Sequence, residues 1–164
     1  MGQWTDGGSD PQANIQLGRE VIRATIGRYP NTLLLGPAAY NAARMHPKVI
    51  ERFKYTTDAP VTADMLATLL EVNRVVVGTS IYMDEDDTPH DVWGADAILT
   101  YVPGQGASLR TPAYGYTYVL TGNPFVEPAN FDTNVKSWLY PVTYERKPVI
   151  VGPGAGYLIR NAAS

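Results

Sequence analysis

The chain has 164 residues, no Cys, and 13 Lys and Arg against 16 Asp and Glu, which gives a formal net charge of −3. The lack of cysteine excludes disulfide frameworks, thiolate zinc sites, iron–sulfur clusters and cysteine nucleophiles. The basic residues are scattered, which argues against a nucleic-acid interface built on a Lys/Arg stripe. No apolar run approaches the ~18 residues that a membrane helix needs.

The start of the chain predicts a helix followed by a buried strand. Asp10 can cap the free N–H groups of a helix over 11–28, and Gly27 suits a left-handed C-terminal cap. Residues 31–36 form an almost continuous apolar run bounded by Pro and Gly. Such a run is typical of a strand buried on both faces.

Three shorter helices are predicted next. One begins at Pro37 and ends near Met45, and a second restarts at Pro47 with Val49, Ile50 and Phe53 on one side. Thr62 caps a fourth helix, in which apolar residues recur at helical spacing: Met65, Leu66, Leu69 and Leu70.

The second half of the chain predicts strands, because β-branched and aromatic runs alternate with Gly, Pro and Asn turns. These runs are Val75–Tyr82, Ala97–Val102, Tyr116–Leu120, Ser137–Tyr144, Pro148–Val151 and Tyr157–Ile159. Pro141 and Pro148 belong on sheet edges or bulges. With helices first and strands later, the fold class is α+β, a mixed or antiparallel sheet flanked by helices within one domain, 1–164.

An acidic run, Asp84 to Asp87 with His90 and Asp91, raises the hypothesis of a metal site. A calcium loop needs a sharp-turn Gly, which this run lacks, so a solvated acidic loop is the preferred interpretation. A small metal-dependent enzyme using the Asp84–Asp91 cluster stays open as an alternative.

No other pattern predicts catalysis. His46 lies immediately before Pro47, which favours a capping or packing role, and His90 is expected to be exposed. The Gly-rich stretches 104–106 and 152–156 lack the strand–loop–helix context of a phosphate site and are interpreted as turns and a mobile loop tip. We therefore predict no catalytic, cofactor-binding or metal-binding residues.

The aromatic residues are biased towards rings with a polar atom, with 11 Tyr and 3 Trp against 3 Phe. Such rings suit half-wet surfaces, including protein interfaces. Tyr114, Tyr116 and Tyr118 alternate along one predicted strand and so share a face. That face is either a contact surface or an ordinary half-buried strand face.

Several segments, in this order and spacing, resemble the major capsid proteins of tailed bacteriophages and prophages, whose fold is shared with encapsulin nanocompartments. The segments are Trp4–Asp6, Ser9–Pro11, Pro30–Gly36 with Tyr40, His46–Thr56, Val61–Thr62, Leu69–Val72, Arg74–Gly78, Val92–Gly94, Tyr101–Pro103, Gly115–Thr117 and Gly156–Ile159.

The resemblance implies a structural shell subunit that is not an enzyme and has peripheral-type and axial-type regions. It would assemble with copies of itself into pentamers and hexamers of an icosahedral head. Scaffolding or decoration proteins are further expected partners, DNA contact would be weak and non-specific, and no membrane is involved. The protein would reside in the virion after assembly in the host cytoplasm, with the Pro103–Ala113 loop, or the loop next to it, near the capsomer axis.

The chain also departs from the family pattern. It shows no counterpart of the amino-terminal arm, the extended loop and much of the long spine helix, so we expect a truncated, carboxy-terminal part of a subunit that forms a monomer or small ring. An encapsulin-like shell protein, enclosing cargo enzymes in place of DNA, is the alternative function with the same fold.

Overall fold

A computed structural model of the chain describes residues 2–54, 60–104, 106–108 and 110–163. Its contacts divide the chain into two compact units. Unit 1 comprises the residues up to Tyr114 together with those from Gly152 onward, and unit 2 comprises Gly115–Val151.

The described helices are α1 (Pro11–Ile26), α2 (Pro37–Met45), α3 (Pro47–Phe53) and α4 (Ala63–Leu69). Their predicted caps are confirmed. The Asp10 carboxylate accepts a hydrogen bond from the N–H of Ala13 at 3.0 Å, and Gly27 closes α1 with a φ of 70°. The hydroxyl of Thr62 accepts from the N–H of Met65. Residues 55 and 56, the end of the His46–Thr56 segment, lie outside the described residues.

The described strands are β1 (Thr32–Leu35), β2 (Arg74–Val77), β3 (Ile81–Met83), β4 (Pro89–Asp91), β5 (Ala97–Thr100), β6 (Gly115–Val119), β7 (Phe125–Val126), β8 (Asn130–Asp132), β9 (Ser137–Leu139), β10 (Val142–Thr143), β11 (Arg146–Ile150) and β12 (Gly156–Ile159). A 3₁₀ turn, Pro153–Ala155, precedes β12. Helices and strands together confirm the predicted α+β class.

Unit 1 is built around a four-stranded mixed sheet with the order β12–β5–β1–β2. β1 is parallel to β2 and antiparallel to β5, which is antiparallel to β12. Leu33 and Leu35, on one face of β1, are fully buried, and on the other face Thr32 is buried and Leu34 is partly buried, which confirms a strand covered on both faces. Ile15 and Ile22 of α1 belong to the same core.

Several predicted elements need correction. The run Val75–Tyr82 is two strands, broken at Gly78, where an added Cβ would lie only 2.2 Å from the Trp93 ring. Ile50 is exposed while its neighbour Val49 is buried, because adjacent helical residues point about 100° apart. The strands β4, β7 and β8 were not predicted, since each has only two or three residues and lies outside the longer β-branched and aromatic runs from which the strands were assigned.

Unit 2 consists of three two-stranded antiparallel ribbons, in which β6 pairs with β11, β7 with β10, and β8 with β9. The predicted edge position of Pro148 is confirmed: it lies in β11 opposite Thr117, in a ribbon where both strands are edges. Pro141 lies between β9 and β10.

Candidate functional site

Unit 2 has no interior. Not one of the residues from 115 to 151 is buried, although all of them are described. Large apolar side chains are nevertheless abundant and open to solvent; the exposed fraction reaches 72% for Tyr140, and the set includes Leu120, Val126, Trp138, Val142 and Ile150. So many exposed large apolar side chains in one short segment are typical of an interaction site, so unit 2 is the candidate functional surface.

Local contacts hold the strands of unit 2 together without covering these side chains. In the β8–β9 ribbon, Phe131 lies opposite Trp138, and their ring centroids are 5.4 Å apart in an edge-to-face arrangement. Near β11, the guanidinium of Arg146 lies 5.7 Å from the centre of the Tyr144 ring. Such pairs add about 1 kcal/mol each, which leaves the ribbons dependent on further contacts for stability.

Three acidic and three basic residues balance the charge of unit 2. They are Glu127, Asp132, Glu145, Lys136, Arg146 and Lys147. The surface therefore offers neither the strong positive field that recruits nucleic acid nor a strong negative one. What remains for recognition is mainly apolar contact.

The three predicted face-sharing tyrosines are separated by the fold. Tyr116 and Tyr118 lie on β6, but Tyr114 precedes the strand and belongs to unit 1. An added Cβ at Gly156 would lie 2.5 Å from the Tyr114 ring, so this tyrosine packs closely against β12. Tyr118 is half exposed, as a contact residue would be.

The acidic run Asp84–Asp87 forms the solvent-facing turn that connects β3 and β4. The Asp84 carboxylate accepts hydrogen bonds from the N–H groups of Asp86 and Thr88, both at 2.9 Å, and lies 2.7 Å from Nε2 of His90. These contacts, led by the Thr88 N–H, hold the pKa of Asp84 below its usual value. His90 is half exposed and stacks on Tyr82 with ring centroids 5.5 Å apart.

The carboxylate of Asp84, the best candidate metal ligand in the hairpin, is therefore engaged in hydrogen bonds within the turn. In the described part of the chain, His, Asp and Glu side chains nowhere gather in a group of three that could hold a metal ion. The hypothesis of a metal-dependent enzyme built on the Asp84–Asp91 cluster finds no support in this geometry.

His46 has the predicted capping role. Its Nδ1 accepts from the N–H of Lys48 at 3.2 Å, which places the ring proton on Nε2. Nε2 lies 3.2 Å from both the carbonyl oxygen of Asp6 and the hydroxyl of Ser9. The ring is buried; Nδ1 caps α3, and Nε2 connects that cap to the start of the chain.

The two Gly-rich stretches have different outcomes. The second, 152–156, is a packed turn and not a mobile loop tip, because Ala155 is buried and an added Cβ at Gly154 would lie 2.6 Å from the side chain of Thr25. In the first, 104–106, Gln105 lies outside the described residues.

The family model of phage major capsid protein E matches residues 2–130. The chain belongs to this capsid protein family. A second sequence comparison agrees: the major capsid protein of Burkholderia phage BcepMu is 42% identical over 161 residues, which are 96% of this chain and 52% of the phage protein.

Two solved structures are similar to this capsid-family chain. A phage-related protein from Bordetella bronchiseptica RB50 superposes with a TM-score of 0.90 and 42% identity, covering 98% of this chain and 54% of that one. A protein proposed to be the capsid protein of a prophage in Escherichia coli CFT073 gives a TM-score of 0.50 at 16% identity, over 96% and 50% of the two chains, and supports the fold alone. The chain thus spans about half the length of the relatives it matches.

The exposed apolar side chains of unit 2 are typical of a surface that contacts another protein. From the excess of Tyr and Trp over Phe, sequence reasoning offered the face of Tyr116 and Tyr118 as a possible contact surface, but it did not locate the rest of the apolar surface of unit 2. Within the described ranges, every helix is too short or too polar to serve as a bilayer span.

Proposed function

We propose that this chain is a structural shell subunit that assembles with copies of itself into the pentamers and hexamers of an icosahedral phage or prophage head. The observation that carries the proposal is unit 2, which has many large apolar side chains and no buried residue. Burying one such side chain is worth about 1.5–3 kcal/mol, so contacts between copies supply what unit 2 lacks by itself.

For the fold, the proposal is an encapsulin-like capsid fold with peripheral-type and axial-type regions within residues 1–164. In this proposal the Pro103–Ala113 loop lies near the capsomer axis, where it would meet its own copies; Gln105 and Leu109 of that loop lie outside the described residues. Head-to-tail contacts of this kind close into rings.

The same proposal makes the protein a non-enzymatic component of the virion, assembled in the host cytoplasm. The engagement of His46 and Asp84 in capping and turn contacts supports a structural role. Copies of the chain are the main partners, with scaffolding or decoration proteins as further ones. The balanced charge of unit 2 supports only weak, non-specific contact with packaged DNA.

Particles purified from cells that make the encoding phage or prophage test this proposal. We expect mass spectrometry to find the protein as a major component of nuclease-resistant, DNA-filled particles, with icosahedral outlines in negative-stain images. Absence of the protein from such particles would overturn the proposal. Particles that enclose a cargo enzyme in place of DNA would show that the encapsulin-like alternative is correct.

A further inference from the structure

The β6–β11 ribbon has two outer edges, and the alternation of hydrogen-bonded and non-hydrogen-bonded residue pairs shows which backbone groups face outwards. The N–H of Leu120 donates to the carbonyl of Glu145, which continues the ladder in which Val119 lies opposite Arg146. Along an antiparallel ladder, hydrogen-bonded residue pairs alternate with non-hydrogen-bonded pairs. Thr117, like Val119, is therefore in a non-hydrogen-bonded position, and its N–H and C=O point away from β11.

The outer edge of β11 is protected against strand addition. Pro148 lies opposite Thr117 and has no N–H to offer, and the strand carries the charges of Arg146 and Lys147. Proline and lysine are devices by which natural sheets prevent edge-to-edge pairing.

The outer edge of β6 has no such protection. Its sequence, Gly-Tyr-Thr-Tyr-Val, contains neither a charge nor a proline, and among the described residues β11 is its only strand partner. Thr117, Tyr118 and Val119 are all exposed. One edge of the ribbon is thus closed and the other is open, uncharged and rich in residues that favour strands.

We propose that β6 pairs, antiparallel and edge to edge, with β6 of a second copy of this chain, about a two-fold axis at Thr117. This inference rests on the proposed shell function and names one of its contacts. The pairing joins two ribbons into a four-stranded sheet, β11–β6–β6–β11. It uses every outward N–H and C=O of Gly115, Thr117 and Val119.

The sequence of β6 is complementary to itself in this register. Gly115 lies opposite Val119 of the partner subunit, and Tyr116 lies opposite Tyr118 of the partner subunit. Cross-strand aromatic pairs stabilise antiparallel sheets, and with no charge on β6 the two-fold brings no like charges together. The exposed side chains of Tyr118 and Val119 gain neighbours from the second copy.

A single cysteine tests the register, because the natural chain contains none. At the two-fold axis the Cα atoms of the two Thr117 residues would lie ~5.5 Å apart, within disulfide range. Under mild oxidation we expect Thr117→Cys to form a disulfide-linked dimer. The control, Val135→Cys, is also at an exposed position but lies between β8 and β9, and it should stay monomeric on a non-reducing gel.

A second pair of variants tests the backbone contacts. Thr117→Pro removes the outward N–H and leaves every β6–β11 hydrogen bond intact, whereas Thr117→Val keeps the N–H and the strand preference. Light scattering after size-exclusion chromatography should show association weakened at least about tenfold for Thr117→Pro and little changed for Thr117→Val.

Equal cross-linking of the two cysteine variants, equal association of the proline and valine variants, or a natural chain that stays monomeric at millimolar concentration would each overturn β6 pairing. None of these results touches the presence of the protein in particles, on which the shell function depends. Conversely, a Thr117-linked dimer of a protein that is absent from particles would support the pairing and refute the shell function.

Discussion

Truncating Leu35 tests whether the β1 strand forms the centre of the stable core. The side chain is fully buried in the strand that pairs with both β2 and β5. Leu35→Ala removes three buried carbons, worth about 2.4 kcal/mol in transfer free energy. Incomplete collapse of the cavity adds to this and brings the expected loss of unfolding free energy to about 4 kcal/mol. For a chain of this size the melting temperature should fall by about 8–16 °C.

Leu120→Ala is the matched control, since it deletes the same atoms from a leucine that is 58% exposed in unit 2. Its unfolding free energy should change by less than about 0.5 kcal/mol in dilute solution. Urea titrations followed by circular dichroism, at concentrations where the chain is monomeric, provide the comparison. Similar midpoint shifts for the two variants would refute the division into a packed unit 1 and an open unit 2.

Two further predictions concern contacts of α1. An added Cβ at Gly18 would lie 2.6 Å from the Tyr157 ring, so Gly18→Ala should lower the unfolding free energy, measured by thermal denaturation, by about 1–3 kcal/mol. The control Gly104→Ala adds its Cβ in open space and should leave the unfolding free energy unchanged. Equal effects of the two substitutions would contradict the packing of Gly18 against Tyr157. The ion pair with the buried Arg19 lowers the pKa of Glu71 in the folded chain. The ion pair therefore stabilises the fold at pH values above the pKa that Glu71 has in the unfolded chain. This stabilisation is lost as the pH falls through the lower pKa of the folded state. The urea midpoint of Glu71→Gln should therefore lie below that of the natural chain at pH 7 and converge with it in acid, whereas a gap independent of pH would count against the pair.

The local elements of unit 1 could be predicted because their signals are local. Asp10 and Gly27 cap the two ends of α1, and β1 coincides with the apolar run at 31–36 to within one residue at each end. The order of the sheet was beyond such reasoning. β5 lies between β1 and β12, and β12 comes from the far end of the chain; no local pattern specifies this pairing.

Unit 2 was harder to predict for a different reason. Runs such as Ser137–Tyr144 alternate and contain aromatic residues, as half-buried strands do, and they do form strands. Alternation of apolar and polar residues indicates that one face of a strand is to be buried. It does not show whether that face is buried by the same chain or by another copy. The open edge of β6 likewise depends on the register with β11, which only the structure supplies.

The closure of unit 1 also bears on how the chain folds as it is made. The N–H of Trp4 donates to the carbonyl of Ala162 at 2.6 Å, and β12 supplies the last strand of the sheet. On a ribosome, residues 115–151, including the short β8–β9 hairpin that needs only local contacts, emerge before the strand that completes the sheet. Since contacts between distant residues form slowly, we expect the edge of β5 that pairs with β12 to stay accessible to neighbouring nascent chains until β12 has emerged.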